Sequence, residues 1–152
     1  MKILISACLL GIPCRYDGKA KPQPWAEALA ARHDLVPVCP EQLGGLPTPR
    51  APSERRGDRV VMNTGADVTE QYRRGAEAAL RLCRLTGCEA AILKERSPSC
   101  GCGEIYDGSF THTIKAGWGV TARLLAEAGL RVMDEENLES WLYDPTAWPS
   151  EM

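Results

Sequence analysis

The sequence predicts an α/β fold: a mainly parallel sheet of about four strands with helices on both faces. Two observations predict it. Short apolar runs alternate in order with alanine- and leucine-rich amphipathic stretches. Most are closed by Gly, Pro or an Asx residue, the residues that turn a chain.

Lys2–Ala7 (KILISA) is apolar and rich in β-branched residues, as a buried strand requires. Residues 25–33 (WAEALAARH) read as a helix, and Leu35–Val38 as a second strand stopped by Cys39-Pro40. The stretch GGLPTPRAPSERRG that follows carries too much Gly and Pro for anything but a long loop, and long loops in compact domains tend to be functional. Arg59–Met62 reads as a small strand or half of a hairpin. With Thr69 as N-cap, a long helix should run to Thr86. It places Tyr72, Ala76, Ala79, Leu80 and Cys83 on one face, and Gly87 ends it. Ala90–Lys94 is a third buried strand, Ser97 to Gly117 reads as irregular with a turn at Asp107-Gly108, and Val120–Ala128 is helical. Leu130–Met133 is a fourth strand, Glu135–Tyr143 a last helix, and the tail from about residue 144 reads as loosely ordered. The whole is a Rossmann-like single domain over residues 1–152 with no internal repeat.

Composition narrows the function. At 44% hydrophobic and 25% charged residues the chain is globular, and a net charge of -2 carries no electrostatic footprint for a nucleic-acid polymer. No apolar run approaches the ~20 residues of a membrane-spanning helix. Ile5-Ser6-Ala7-Cys8 has the spacing of a lipoprotein box, but only Ile3, Leu4 and Ile5 precede it as an apolar core, against the roughly 7–15 residues a signal needs. A cytoplasmic protein is expected.

Seven cysteines are many for such a chain, and without export they point to metal or thiol chemistry rather than to a disulfide framework. There is no CxxC and no HExxH, and His33 and His112 lie far apart, so a metal site here must be built mostly of cysteine. Cys8 follows the first strand, Cys39 the second, and Cys100 lies in the loop after the third. In a parallel sheet those loops share the carboxyl edge, where open α/β sheets bind ligands. A free cysteine is often just a small buried hydrophobe, and Cys83 and Cys88 read that way. Cys8, Cys39 and Cys100 border Gly- and Pro-containing loops, where packing gives little reason for a thiol. Cys14, after Pro13, and Cys102, two residues past Cys100, can each join the crevice or stand aside. Three thiolates admit zinc with a water in the fourth position, or a cluster with one open iron.

The segments SACLLGIPCRYDG (6–18), VCPEQLGGLPTPR (38–50), LKERSPSCG (93–101) and IYDGSF (105–110), with the helix start GWGVTARLL, resemble the TudS-type thiouracil desulfidases, a single-domain bacterial family. The resemblance runs to about Asn137. It implies a [4Fe–4S] cluster held by Cys8, Cys39 and Cys100, a catalytic carboxylate at Glu41 and a catalytic or water-orienting hydroxyl at Ser97. The implied reaction is a non-redox removal of sulfur from a small thiolated pyrimidine. The rival expectations are a zinc hydrolase on the same thiols and an iron–sulfur or thiol sensor.

Lesser signals remain. Gly117-Trp118-Gly119-Val120-Thr121-Ala122 imitates a dinucleotide fingerprint, but FTHTIKA before it is a poor buried strand. The helix start it forms can offer free N–H groups to an anion. Arg50, Arg55, Arg56 and Arg59, interleaved with Glu54 and Asp58, read as a solvated basic loop that can also meet a phosphate. Trp118 suits either stacking on a pyrimidine or core packing. Neither histidine is assigned a catalytic role.

Overall fold

The computed structural model describes residues 1–139 and Leu142. Four parallel strands form the central sheet: β1 (Lys2–Ser6), β2 (Asp34–Val38), β5 (Ala90–Leu93) and β8 (Arg131–Asp134), in the spatial order β2-β1-β5-β8. β1 and β5 are central, and their residues Ile3, Leu4, Ile5, Ala90, Ala91, Ile92 and Leu93 are sealed from solvent. Pro37 is tolerated because β2 is an edge strand, where a missing N–H breaks no ladder on the outer side.

The pleat sends alternate side chains to opposite faces. Ile3, Ile5, Ala90 and Ile92 pack with Met133 and with Leu29 of α1 (Ala26–Arg32). Leu4, Ala91 and Leu93 pack with Ala79 of α3 (Thr69–Thr86) and with Ala122 and Leu125 of α4 (Val120–Glu127). Helices therefore cover both faces, as the sequence predicts.

The expected Gly/Pro loop is more ordered than its composition suggests. α2 (Pro40–Leu43) leads into it, and its last residues form β3 (Ser53–Arg56), which pairs antiparallel with β4 (Arg59–Met62) around Gly57. The stretch expected to be irregular is an antiparallel hairpin, β6 (Cys102–Tyr106) with β7 (Ile114–Trp118). Its strands carry Gly103 and Gly117, which lower strand propensity, and pairing supplies what propensity lacks. Of the helix expected over 135–143, residues 135–137 form a turn and Leu142 N–H donates to the Glu139 carbonyl at 3.1 Å, while 140, 141 and 143, like the tail from about 144, lie outside the described residues. Thr69 opens α3 but does not cap it: Asp67 accepts its N–H at 2.9 Å, and its hydroxyl accepts the N–H of Val60 at 2.9 Å.

Two contacts aim these elements at one edge of the sheet. α2 and α3 touch backbone to backbone through two glycines. A Cβ on Gly44 would stand 1.9 Å from the carbonyl oxygen of Gln71, and one on Gly75 would stand 1.9 Å from that of Pro40. The buried Glu54 of β3 accepts the N–H groups of Gly108 and Phe110 at 2.9 and 3.2 Å, while Arg56 Nε donates to the Gly108 carbonyl at 2.8 Å. The β6–β7 turn, with Gly108 at φ 95° as the Asp-Gly pair predicts, is thereby moored to the β3–β4 hairpin.

Gly75→Ala is expected to destabilise the chain by about 2 kcal/mol or more, because backbone must move to admit the methyl. Glu54→Ala, which strands two N–H groups, should cost about 1–3 kcal/mol. Urea unfolding midpoints of the two variants check both values.

Candidate active site

The carboxyl ends of β1, β2 and β5 open into a cavity of about 360 Å³ lined by Cys8, Cys14, Cys39, Cys100, Glu41 and Ser97, among others. β1 ends at Ser6, whose hydroxyl accepts the N–H of Lys94 at 2.9 Å and so ties the ends of β1 and β5 together. Cys8 sits in the single 3-10 turn Ala7–Leu10 that follows, and Gly11, at φ 98°, reverses the chain. Cys39 leaves β2 extended, directly before α2, so Glu41 lies in the first turn of that helix.

The loop bearing Cys100 is fixed by α4. Val120 N–H donates to the Pro98 carbonyl at 2.9 Å, Thr121 and Ala122 N–H donate to the Ser99 carbonyl at 2.8 and 3.1 Å, and Gly119 N–H donates to the Gly101 carbonyl at 2.7 Å. The hydroxyls of Ser99 and Thr121 bond at 2.8 Å. Gly119 is required there, since a Cβ would come within 2.4 Å of the Ser99 carbonyl. The helix start therefore offers no free N–H groups to an anion. Its orphan donors hold the Ser97–Gly101 loop in place.

Ser97 Oγ accepts the N–H groups of Ser99 and Cys100, both at 3.0 Å, and donates to Glu41 Oε1 at 3.4 Å. Glu41 of α2 and Ser97, 56 positions apart in the chain, thus meet inside the cavity. Tyr72 of α3, read from sequence only as part of an apolar face, also lines it. Burial, and then the Glu41 charge, keep its hydroxyl protonated well above the usual range.

The Cys39 thiol donates to the Cys14 carbonyl at 3.7 Å. Contact with Cys14 and then burial push the Cys39 thiol far up, and burial pushes the Cys100 thiol up to about 12. A metal that binds thiolate must displace those protons, so its uptake releases acid. Among the described residues no three His, Cys, Asp or Glu side chains converge closely enough to enclose a single ion, although four thiols line the cavity.

Of the two undecided cysteines, Cys14 joins the cavity and Cys102 does not. Cys102 Sγ points to Asp134 Oδ2 at 3.7 Å, and burial, then Asp134, push its thiol up to about 12. Cys83 and Cys88 lie at the far end of α3, with Cys83 Sγ against the Cys88 carbonyl at 3.6 Å, as their hydrophobic reading expects. His33 is buried against the Leu142 carbonyl, and His112 stands at the cavity rim with its ring against Tyr106.

The arginines divide. Arg50 is no solvated loop residue: its side chain is 3% exposed and forms an ion pair with Glu41. Arg55 donates to the Trp118 carbonyl, and Arg59 pairs with Asp67 at the surface. Trp118 is neither core nor cavity. It is 38% exposed on a second, shallower groove of about 570 Å³ between the β6–β7 hairpin and α4, which holds no cysteine. Arg50 and Tyr72 were legible as residue types only, because both act through contacts distant in sequence.

Comparison with known proteins agrees with this geometry. The model of the 2-thiouracil desulfurase family matches residues 3–137. A Bacillus subtilis (strain 168) relative described as the uncharacterized protein YbbK is 43% identical over 150 residues, covering 92% of this chain and 99% of the relative. A solved structure described as a [4Fe-4S]-dependent thiouracil desulfidase TudS superposes with a TM-score of 0.86 at 51% identity, covering 90% of this chain and 92% of that one. With a family match across nearly the whole sheet-and-loop framework, this chain belongs to the 2-thiouracil desulfurase family.

Proposed function

We propose that this chain is a single-domain, cytoplasmic desulfidase. It would hydrolyse the C–S bond of thiouracil, or of a thiolated uridine nucleoside or nucleotide, to give uracil or its counterpart and hydrosulfide. The observation that carries the reading is the 3.4 Å hydrogen bond from Ser97 to Glu41 inside a cavity lined by cysteines from three loops of one sheet edge.

The donor chemistry fits an iron–sulfur cluster. The cavity offers thiols as its principal soft ligands, whose protons a thiophilic metal must displace. Zinc bonds sulfur at about 2.3 Å and draws its ligands around a point. Thiols that line a cavity of about 360 Å³, with no three ligand side chains gathered at one point among the described residues, suit a larger group better. Cys8, Cys39 and Cys100 would hold a [4Fe–4S] cluster, which supplies a Lewis-acidic iron that no protein thiolate occupies and that favours a soft sulfur donor.

The residues of the chain do the rest. Glu41 takes a proton from the water that attacks the thiocarbonyl carbon, or passes one to the departing sulfur. Ser97 keeps its hydroxyl on Oε1, and its two backbone bonds fix where that hydroxyl can point. Arg50 holds the other oxygen, leaving Oε1 to face Ser97. Water adds, hydrosulfide and a proton leave, and no electron is consumed, so no redox partner is needed. A small thiolated pyrimidine is the partner. Neither a nucleic-acid polymer nor a membrane is involved, and no helix among the described residues is long and apolar enough to cross one.

Anaerobic protein reconstituted with iron and sulfide is expected to convert 4-thiouracil to uracil with stoichiometric sulfide release. Cys8→Ser, Cys39→Ser and Cys100→Ser should each lose bound iron and turnover, whereas Cys102→Ser should keep both. Glu41→Gln and Ser97→Ala should keep iron and labile sulfide, with kcat lower by about 10²–10⁴ for the carboxylate variant. Bound zinc without labile sulfide would overturn the reading in favour of a zinc hydrolase. A full cluster with no turnover of any thiolated pyrimidine would overturn it in favour of a sensor.

A further inference from the structure

Arg50 makes more bonds than an ion pair needs. Nε donates to Glu41 Oε2 at 2.8 Å, and Nη2 both pairs with that oxygen and donates to the Cys14 carbonyl at 3.0 Å. Nη1 donates to the Pro47 carbonyl at 3.1 Å and to Thr48 Oγ1 at 3.0 Å. Its own N–H donates to the Tyr16 carbonyl at 2.8 Å. All three nitrogens of a nearly buried guanidinium are therefore committed, and its planar fork leaves little freedom in how they are shared. The Cys14 carbonyl also receives the Cys39 thiol at 3.7 Å, so the backbone of the Cys14 loop is gripped from two sides.

From these bonds we infer that Arg50 is a positioning residue that clasps the Glu41 carboxylate to the Cys14 loop, so that the aim of the carboxylate and the closure of the thiol cavity depend on one side chain. The inference rests on the reading of Glu41 as the group that moves the proton, but the clasp itself does not require any particular substrate. Leaving a buried charge without its partner is strongly unfavourable, so loss of either end should loosen the other. Glu41 and Cys14 would then be coupled through Arg50, beside the weaker contact that the Cys39 thiol makes with the Cys14 carbonyl. Lysine keeps the charge at this position but replaces the rigid planar fork with a compact ammonium on a flexible stem, so it fixes both ends less firmly.

The test uses Cys14 as a reporter in cluster-free protein, where the residue is 3% exposed and should react only when the loop opens. Iodoacetamide labelling of each cysteine is timed by mass spectrometry, with Cys83 in α3 as the internal control. Arg50→Gln is expected to speed Cys14 labelling about tenfold with Cys83 still protected, a change confined to local opening. Glu41→Gln should speed it by a similar factor, and the double variant should add little more. A propping role for Arg50 alone would leave Cys14 labelling in Glu41→Gln at the wild-type rate, and that result overturns the inference. So does unchanged Cys14 labelling in Arg50→Gln, or equal acceleration at Cys14 and Cys83, which marks global unfolding. In the reconstituted enzyme, Arg50→Lys should keep its iron and its KM while kcat falls about tenfold, the signature of a misaimed group. A fall that only follows lost iron overturns the inference. If wild-type protein turns over no thiolated pyrimidine, the proposed reaction fails, and the labelling experiment still decides the clasp.

Discussion

β1, β2 and β5 run in the same direction with β1 between the other two, and this alignment decides where chemistry can sit. Parallel pairing brings three carboxyl ends side by side and forces each strand to leave by a separate loop. Each of those loops brings cysteine to the cavity. The bond from Lys94 to Ser6 closes the seam between the two central strands just below it. Apolar burial on both faces fixes the register, since a slip of one residue would turn Ile3, Ile5 and Ile92 onto the wrong side.

Above that edge the walls are held by hydrogen bonds more than by packing. The first N–H groups of α4 are spent on the carbonyls of Pro98 and Ser99, the Glu54 carboxylate on the N–H groups of Gly108 and Phe110, and the Arg50 guanidinium on Glu41 and Cys14. A site whose polar groups are already satisfied by the protein needs little reorganisation when a substrate arrives. Glycines at positions 44, 75 and 119 let backbones approach closely enough for this to happen. The same economy explains why the glycine-rich segment before α4 resembles a dinucleotide motif: the tight turn is real, but its donors face the chain's own loop.

The sheet and its helices were legible because apolar period and Gly termini report on local geometry, as at Ala90–Leu93 and at Gly87 after α3. The convergence of Cys8, Cys39 and Cys100 followed from strand direction alone, and the meeting of Glu41 with Ser97 agrees with the family resemblance. The β6–β7 hairpin was not legible, because glycines at 103 and 117 mask strand propensity and the pairing partner is local only after the turn forms. Arg50 read as one charge in a basic run. Nothing in its neighbours in sequence tells that a carboxylate nine positions earlier folds back onto it. Cys14 and Cys102 differ only in which way their loops face, which is a tertiary fact.

The mooring of the Ser97–Gly101 loop on α4 also sets an order of events during synthesis. Cys8 and Cys39 are made early, but Cys100 cannot take its place until β5 has joined β1 and the first turn of α4 has been added behind it. A growing chain therefore carries Cys8, Cys14 and Cys39 as ordinary, oxidisable cysteines well before there is a cavity for them to line. The cavity, walled by Tyr16 and His112 as well as by the thiols, is complete only when that last loop has closed onto α4.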